Sequence, residues 1–201
     1  MNDLLIVDYW NQRINDRLPV TYNHLLQGGY FSMPSARMGE EGEIGIGYSH
    51  VPPYRNYNLR CQLFKHLELS GNYRVFSGVD DPVLSPLGFG DFSDKGANAK
   101  FALFLPEESD YNLPGVAIGF EDFLGTRSFR SQYIVATQVF IDYDMEVSLG
   151  YGTDRIRGFF GGINLMPFRK TCWKYLQQLS LTAEYDATPY KSKKREPHPR
   201  G

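Results

Sequence analysis

The chain has only two cysteines, Cys61 and Cys172, far apart in sequence, so it carries neither a disulfide framework nor a four-cysteine zinc site. His24, His50, His66 and His198 show no metal-ligand spacing, and neither a metal nor any other cofactor is expected. No run of about 18 apolar residues occurs, which excludes a membrane-spanning helix. Charge of one sign is lacking too: 21 basic against 23 acidic residues leave a formal charge of -2, without the basic face that nucleic acid requires. The opening MNDLLIVDYW has no basic segment or small-residue cleavage site, so a secretory signal is not expected in it.

Aromatic residues and glycine are plentiful. The 201 residues include 14 Tyr, 14 Phe, 2 Trp and 20 Gly, a pairing that favours sheets with tight bends. From Glu43 onward the hydrophobic period is two. In HLELSGNYRVF, Leu67, Leu69, Tyr73 and Val75 share one face, opposite Glu68, Ser70, Asn72 and Arg74. DMEVSLGYG sets Met145, Val147, Leu149 and Tyr151 against Glu146, Ser148, Gly150 and Gly152; QLSLTAEYD sets Leu179, Leu181, Ala183 and Tyr185 against Ser180, Thr182 and Glu184. Less regular strands are expected over roughly 43–51, 57–64, 97–105, 114–122, 131–141 and 158–166, which makes about nine in an antiparallel meander. Residues 77–96, SGVDDPVLSPLGFGDFSDKG, read as one long Gly/Pro/Asp loop. Residues 1–42 have neither period and form an irregular lead-in that packs on the sheet or fills a lumen; 43–187 form the β-domain, and 188–201 a basic tail or linker.

One-sided strands have two physical explanations. In a soluble sandwich or barrel the apolar face is the core, whereas in an outer-membrane-type barrel it meets lipid and the polar face lines the interior. Several segments approach the 9 to 11 residues of a transmembrane strand. Their polar faces carry Ser, Thr, Asn and Gly with few lysines, and Tyr48, Tyr73, Phe120, Tyr133, Tyr151, Trp173 and Tyr185 recur near strand ends, where an aromatic girdle sits. Residue pattern alone leaves both solvents open.

The stretch GGYFSMPSARMGEEGEIGIGYSHVPPYRNYNL carries Gly28, Gly29, the string Met33 to Met38, Gly42, Glu43, Gly47 and Pro53-Tyr54-Arg55 before Tyr57-Asn58. Together with Glu107-Glu108-Ser109, Asp122-Phe123, Gly125-Thr126 and the closing EYDATPYK, it resembles the N-terminal portion of the YjbH-type exopolysaccharide biosynthesis family. That resemblance implies an outer-membrane β-barrel, complete or partial, that assists exopolysaccharide biosynthesis or export without being an enzyme. The partners it implies are outer-membrane lipid, polysaccharide, and other exopolysaccharide-assembly proteins or a second barrel-forming chain. The alternative is a soluble β-sheet carbohydrate-binding module, with a carbohydrate-active enzyme as a third reading.

Candidate chemistry is confined to carboxylates. Asp80 with Asp81, Glu107 with Glu108, and Glu121 with Asp122 are the pairs that a glycosidase would need across a cleft, but acidic residues at turns are the ordinary case. No catalytic residue is therefore assigned. Arg37 is expected to form an internal ion pair with nearby Glu40, Glu41 or Glu43. If a sugar path exists, face geometry points to Glu68, Asn72, Arg74, Glu146 and Glu184 on the polar, lumen-facing side.

Overall fold

A computed structural model describes residues 17–81, 85–87, 90–173 and 175–188. Nine strands follow one another: β1 (Ile44–Val51), β2 (Tyr54–Phe64), β3 (Leu67–Asp80), β4 (Asp91–Phe104), β5 (Gly115–Gly125), β6 (Ser131–Phe140), β7 (Met145–Asp154), β8 (Gly158–Leu165) and β9 (Leu181–Tyr185). Each pairs antiparallel with the next in a single sheet, so the meander and the count of nine agree with the sequence pattern. The ladder runs from β1 to β9 without the two ends pairing among the described residues. A complete barrel is therefore not what they form.

The expected loop over 77–96 is shorter than its composition suggests. β3 runs on to Asp80 and β4 begins at Asp91, with Tyr73 opposite Lys95 and Val75 opposite Ser93. Glycine and aspartate mask the strands because backbone pairing needs no particular side chain, and the ladder absorbs the irregularity as a register shift between Val75 and Asp80. Phe76 then meets Phe92 at 5.1 Å and Tyr54 at 5.2 Å between ring centres, tying three strands together at this end.

The sheet is inside out by the standard of a water-soluble core. Apolar side chains of alternate residues stand on the outer face, where Ile46 is 86% exposed and Leu149 64%. The intervening residues are buried on the concave face, and these include Arg60, Gln62, Glu68, Lys100, Glu146 and Asn164. Outer aromatic rings neighbour one another across strands, with Tyr48 5.3 Å from Tyr57 and Tyr57 6.5 Å from Tyr73. Such cross-strand pairs fix register. Tyr133, expected in the outer girdle, instead turns inward and packs against Phe160, because it falls on the buried parity of β6.

What fills the concave face is the chain's own start. Residues 17–43 make only two isolated bridges, Tyr22 with Gly28 and Gly29 with Pro34, and lie across the inside of the sheet. Three small apolar clusters result, and each includes a lead-in residue: Met33 and Ala36 with Ala117, Tyr133, Val135, Ile156 and Phe160; Leu18 with Val139 and Met166; Met38 with Ala102 and Leu105. Two glycines make room for close approach. A side chain at Gly28 would collide with the Arg37 carbonyl and the Lys100 ammonium, and one at Gly162 would collide with the Tyr30 ring.

Gly150 on the inner face lies under the Phe160 ring. Replacing it by Val should displace that ring and lower the urea unfolding free energy by about 1 to 3 kcal/mol, while Leu149→Val on the exposed face should shift it by about 0.5 kcal/mol or less.

Candidate functional site

The polar concave wall is built by strand periodicity: every second residue of β2, β3, β4, β7 and β8 turns inward, and among these are Asn56, Asn58, Arg60, Gln62, Glu68, Ser70, Asn72, Arg74, Asn98, Lys100, Glu146, Ser148 and Asn164, interspersed with Phe76, Ala102, Phe160 and glycines. Glu68 and Lys100 are directly opposed in the β3–β4 ladder, both fully buried, with 3.2 Å between Nζ and Oε1. Lys100 also donates to the carbonyls of Gly28 at 3.0 Å and Arg37 at 2.8 Å, so all three ammonium hydrogens are placed. Glu68 in turn accepts the Gly28 N–H at 3.2 Å. One cross-strand ion pair thus grips both the amide and the carbonyl of Gly28.

A second grip comes from the lead-in. Arg37, 2% exposed, reaches Glu146 on β7 at 2.9 Å and donates through its other terminal nitrogen to the Leu18 carbonyl at 2.7 Å. Its Nε lies 3.5 Å from Glu107. The ion pair expected with Glu40, Glu41 or Glu43 is therefore replaced by partners remote in sequence; Glu43 pairs instead with Arg60 at 2.6 Å, whose guanidinium lies 4.2 Å over the Tyr22 ring. Burial pushes the Tyr22 hydroxyl up to about 12, so it stays neutral across the working pH range.

Glu184 of β9 makes the third grip. Its carboxylate accepts the consecutive backbone N–H groups of Phe31 at 3.0 Å, Ser32 at 2.9 Å and Met33 at 3.0 Å, a nest of the kind that holds anions. The adjacent turn of the lead-in, closed by the Tyr22–Gly28 bridge, touches the other edge strand, where Ser49 of β1 donates to the His24 carbonyl at 2.8 Å.

All five residues picked from face geometry stand on the concave wall, but the structure does not gather them into one cluster. Glu68, Glu146 and Glu184 each hold the lead-in. Asn72 accepts a hydrogen bond from Asn98 at 3.2 Å, and Arg74 donates to Asn56 at 3.1 Å while its guanidinium lies 3.7 Å over Phe129. Lys100, Arg60 and Thr137 escaped the sequence reading although their parity marks them: Lys100 alternates with Asn98 in NAKF, and Thr137 accepts the Ala36 N–H at 2.8 Å.

Among the described residues, two cavities border the lead-in, at opposite ends of the strands. A cavity of about 770 Å³ opens beside the β2–β3 turn, lined by Tyr22, Arg37, Glu43, Lys65 and Glu107 among others. A smaller one of about 110 Å³ lies by the β1–β2 turn, where His24, Arg74, Glu121, Phe129 and Arg155 converge. Of the acidic pairs, Glu121 is buried here, and Asp122 accepts the Phe129 N–H at 2.7 Å. Glu107 and Glu108 sit in a 3-10 turn (Pro106–Ser109), with Glu108 3.0 Å from both Lys65 and His66.

A one-sided antiparallel sheet with an apolar outer face, gripping its own N-terminal segment through buried ion pairs, is the class of protein that these features define. Residues 21–158 match the family described as "Exopolysaccharide biosynthesis protein YbjH", and the chain belongs to this YjbH family. It is 34% identical over 129 residues, 62% of its length, to the "Uncharacterized lipoprotein YjbH" of Escherichia coli (strain K12). That match covers 18% of the relative, so the chain corresponds to a minor part of the longer protein. No solved structure matches it.

Two outcomes follow from the grips. Lys100→Met strands Glu68 and two carbonyls, and should destabilise the seated lead-in by about 3 to 5 kcal/mol, read as trypsin cleavage after Arg37 accelerated about 100-fold or more. Adding Glu68→Gln should recover part of that loss.

His24 reports on the same segment. Burial, then the charge of Arg74, pushes its pKa down from 6.5 to about 4, and in the neutral ring Nδ1 donates to the Phe31 carbonyl at 3.2 Å. The unfolded chain binds the proton more readily, so this contribution to stability is complete above about pH 6.5 and is lost as pH falls toward 4. The thermal midpoint should drop over that window, and the drop should shrink in His24→Gln.

Proposed function

We propose that this chain forms the first part of an outer-membrane β-barrel together with the segment that plugs it, and that it acts in exopolysaccharide assembly or export without catalysing a reaction. The observation that carries this reading is the inverted polarity of the sheet. An apolar outer face spanning β1 to β9 suits lipid, whereas in water it would be a large exposed hydrophobic patch. The strands, most of them 8 to 14 residues long, reach the length needed to cross an outer membrane. Family membership supplies the polysaccharide, and the relative's name as a lipoprotein fits the cell envelope.

With the lead-in seated, Glu68, Glu146 and Glu184 are engaged by protein, and a polymer has no continuous polar path along the inner wall. In this reading the wall residues Glu68, Asn72, Arg74, Glu146 and Glu184 meet glycan only when the lead-in withdraws. The cavity of about 770 Å³ is where sugar units gather first.

Refolding the purified chain with and without detergent or lipid vesicles tests this, with sheet content followed by circular dichroism and gel mobility compared before and after boiling. A lipid-dependent, heat-modifiable β-form is the expected result. A monodisperse folded state in plain buffer that binds oligosaccharide would replace the barrel with a carbohydrate-binding module.

A further inference from the structure

The two ends of the sheet are strand edges, and an edge is a template for another strand. Among the described residues no backbone group pairs with the outer edge of β1 or of β9. In an antiparallel meander all odd-numbered strands run the same way, so β1 and β9 are parallel to each other. An antiparallel ladder between them therefore takes an odd number of further strands.

The lead-in measures the gap. Ser49 of β1 donates to the His24 carbonyl at 2.8 Å, the His24 N–H donates to the Phe31 carbonyl at 2.8 Å, and the Phe31 N–H donates to Glu184 of β9 at 3.0 Å. Fully stretched, that path is on the order of 20 Å, against about 10 Å for the two ladder spacings that one inserted strand needs and about 19 Å for three inserted strands. One strand fits with the path relaxed; three fit only at its limit.

We propose that the seam between β1 and β9 is a docking site for one added β-strand, antiparallel to both, supplied by polypeptide outside these 201 residues. This rests on the membrane-sheet reading above. The pattern of the strand follows from its neighbours. Outward residues are apolar, continuing the band of Ile44, Ile46 and Tyr48 on one side and Leu181 and Tyr185 on the other. Inward residues are small or polar, because the inner face of β1 is Gly45, Gly47 and Ser49, with Leu26 packed against both glycines. The E. coli relative carries most of its length outside the matched segment, which is polypeptide enough to provide such a strand.

The test uses the refolded chain in detergent micelles and a synthetic peptide of about ten residues alternating valine with glycine or serine. Its control carries proline at every second position and cannot join a ladder. Amide hydrogen exchange is read at residues 44–51 and 181–185. The expected result is fast exchange at both edges without peptide, slowing by tenfold or more at both with the alternating peptide only.

Slow exchange without peptide that depends on protein concentration would assign the seam to a second copy and overturn the proposal. So would a disulfide forming between Ile46→Cys and Ala183→Cys in a Cys61→Ser, Cys172→Ser background, since that requires β1 and β9 to pair directly. Unchanged exchange with the alternating peptide overturns it as well. Failure of the membrane reading shows separately, as folding without lipid or detergent, and the same exchange comparison then runs in buffer.

Discussion

A lysine buried in a sheet must be met on all three of its hydrogens or leave the sheet, and the placement of Lys100 governs much of this structure. Its ammonium is shared between Glu68 across the ladder and two carbonyls of the lead-in, so the same charge closes the strand pair and seats the irregular segment. Without that segment the concave wall would present Arg60, Glu68, Lys100 and Glu146 to one another or to water. Isolated buried charges are costly, and paired, hydrogen-bonded ones are tolerable. The apolar clusters follow the same line, since each of the three includes residues of the lead-in: Met33 and Ala36, Leu18, or Met38.

The wall and the lead-in also bear on what the proposed polysaccharide could use. A concave face lined by Asn, Ser, Glu and Arg is chemically suited to hydroxyl-rich polymers, yet here Glu68, Lys100, Arg37, Glu146 and Glu184 already have protein partners. The unfilled volume lies at the two ends, with the larger cavity edged by carboxylates, Arg37 and Lys65 and the smaller by two guanidinium groups that flank Phe129 at 3.7 and 4.4 Å. In the proposed reading, a polymer passing along the inner wall would have to displace residues 17–43.

Much of the sheet was legible in the sequence because its signal is local. The alternation in HLELSGNYR and DMEVSLGYG assigns faces to β3 and β7 residue by residue, and the structure keeps those faces. The ends of β3 and β4 were not legible, since Gly78, Asp80 and Asp91 are read as breakers whereas a ladder needs only their backbone. Arg37 was given a partner within six residues, but its carboxylate is Glu146, 109 residues on. Pairings of that range leave no trace in spacing. Tyr133 shows the converse case: its chemistry suggests a girdle, and parity along β6 decides against it.

The hold of Glu184 on residues 31 to 33 spans more than 150 positions. That segment is thus fastened only after the 147 residues between Met33 and β9 have been made and β9 has joined the sheet. Chains dominated by such distant contacts fold slowly. Until β9 and residues 31 to 33 meet, that carboxylate and those three amides lack one another, so closing this contact is tied to completing the sheet.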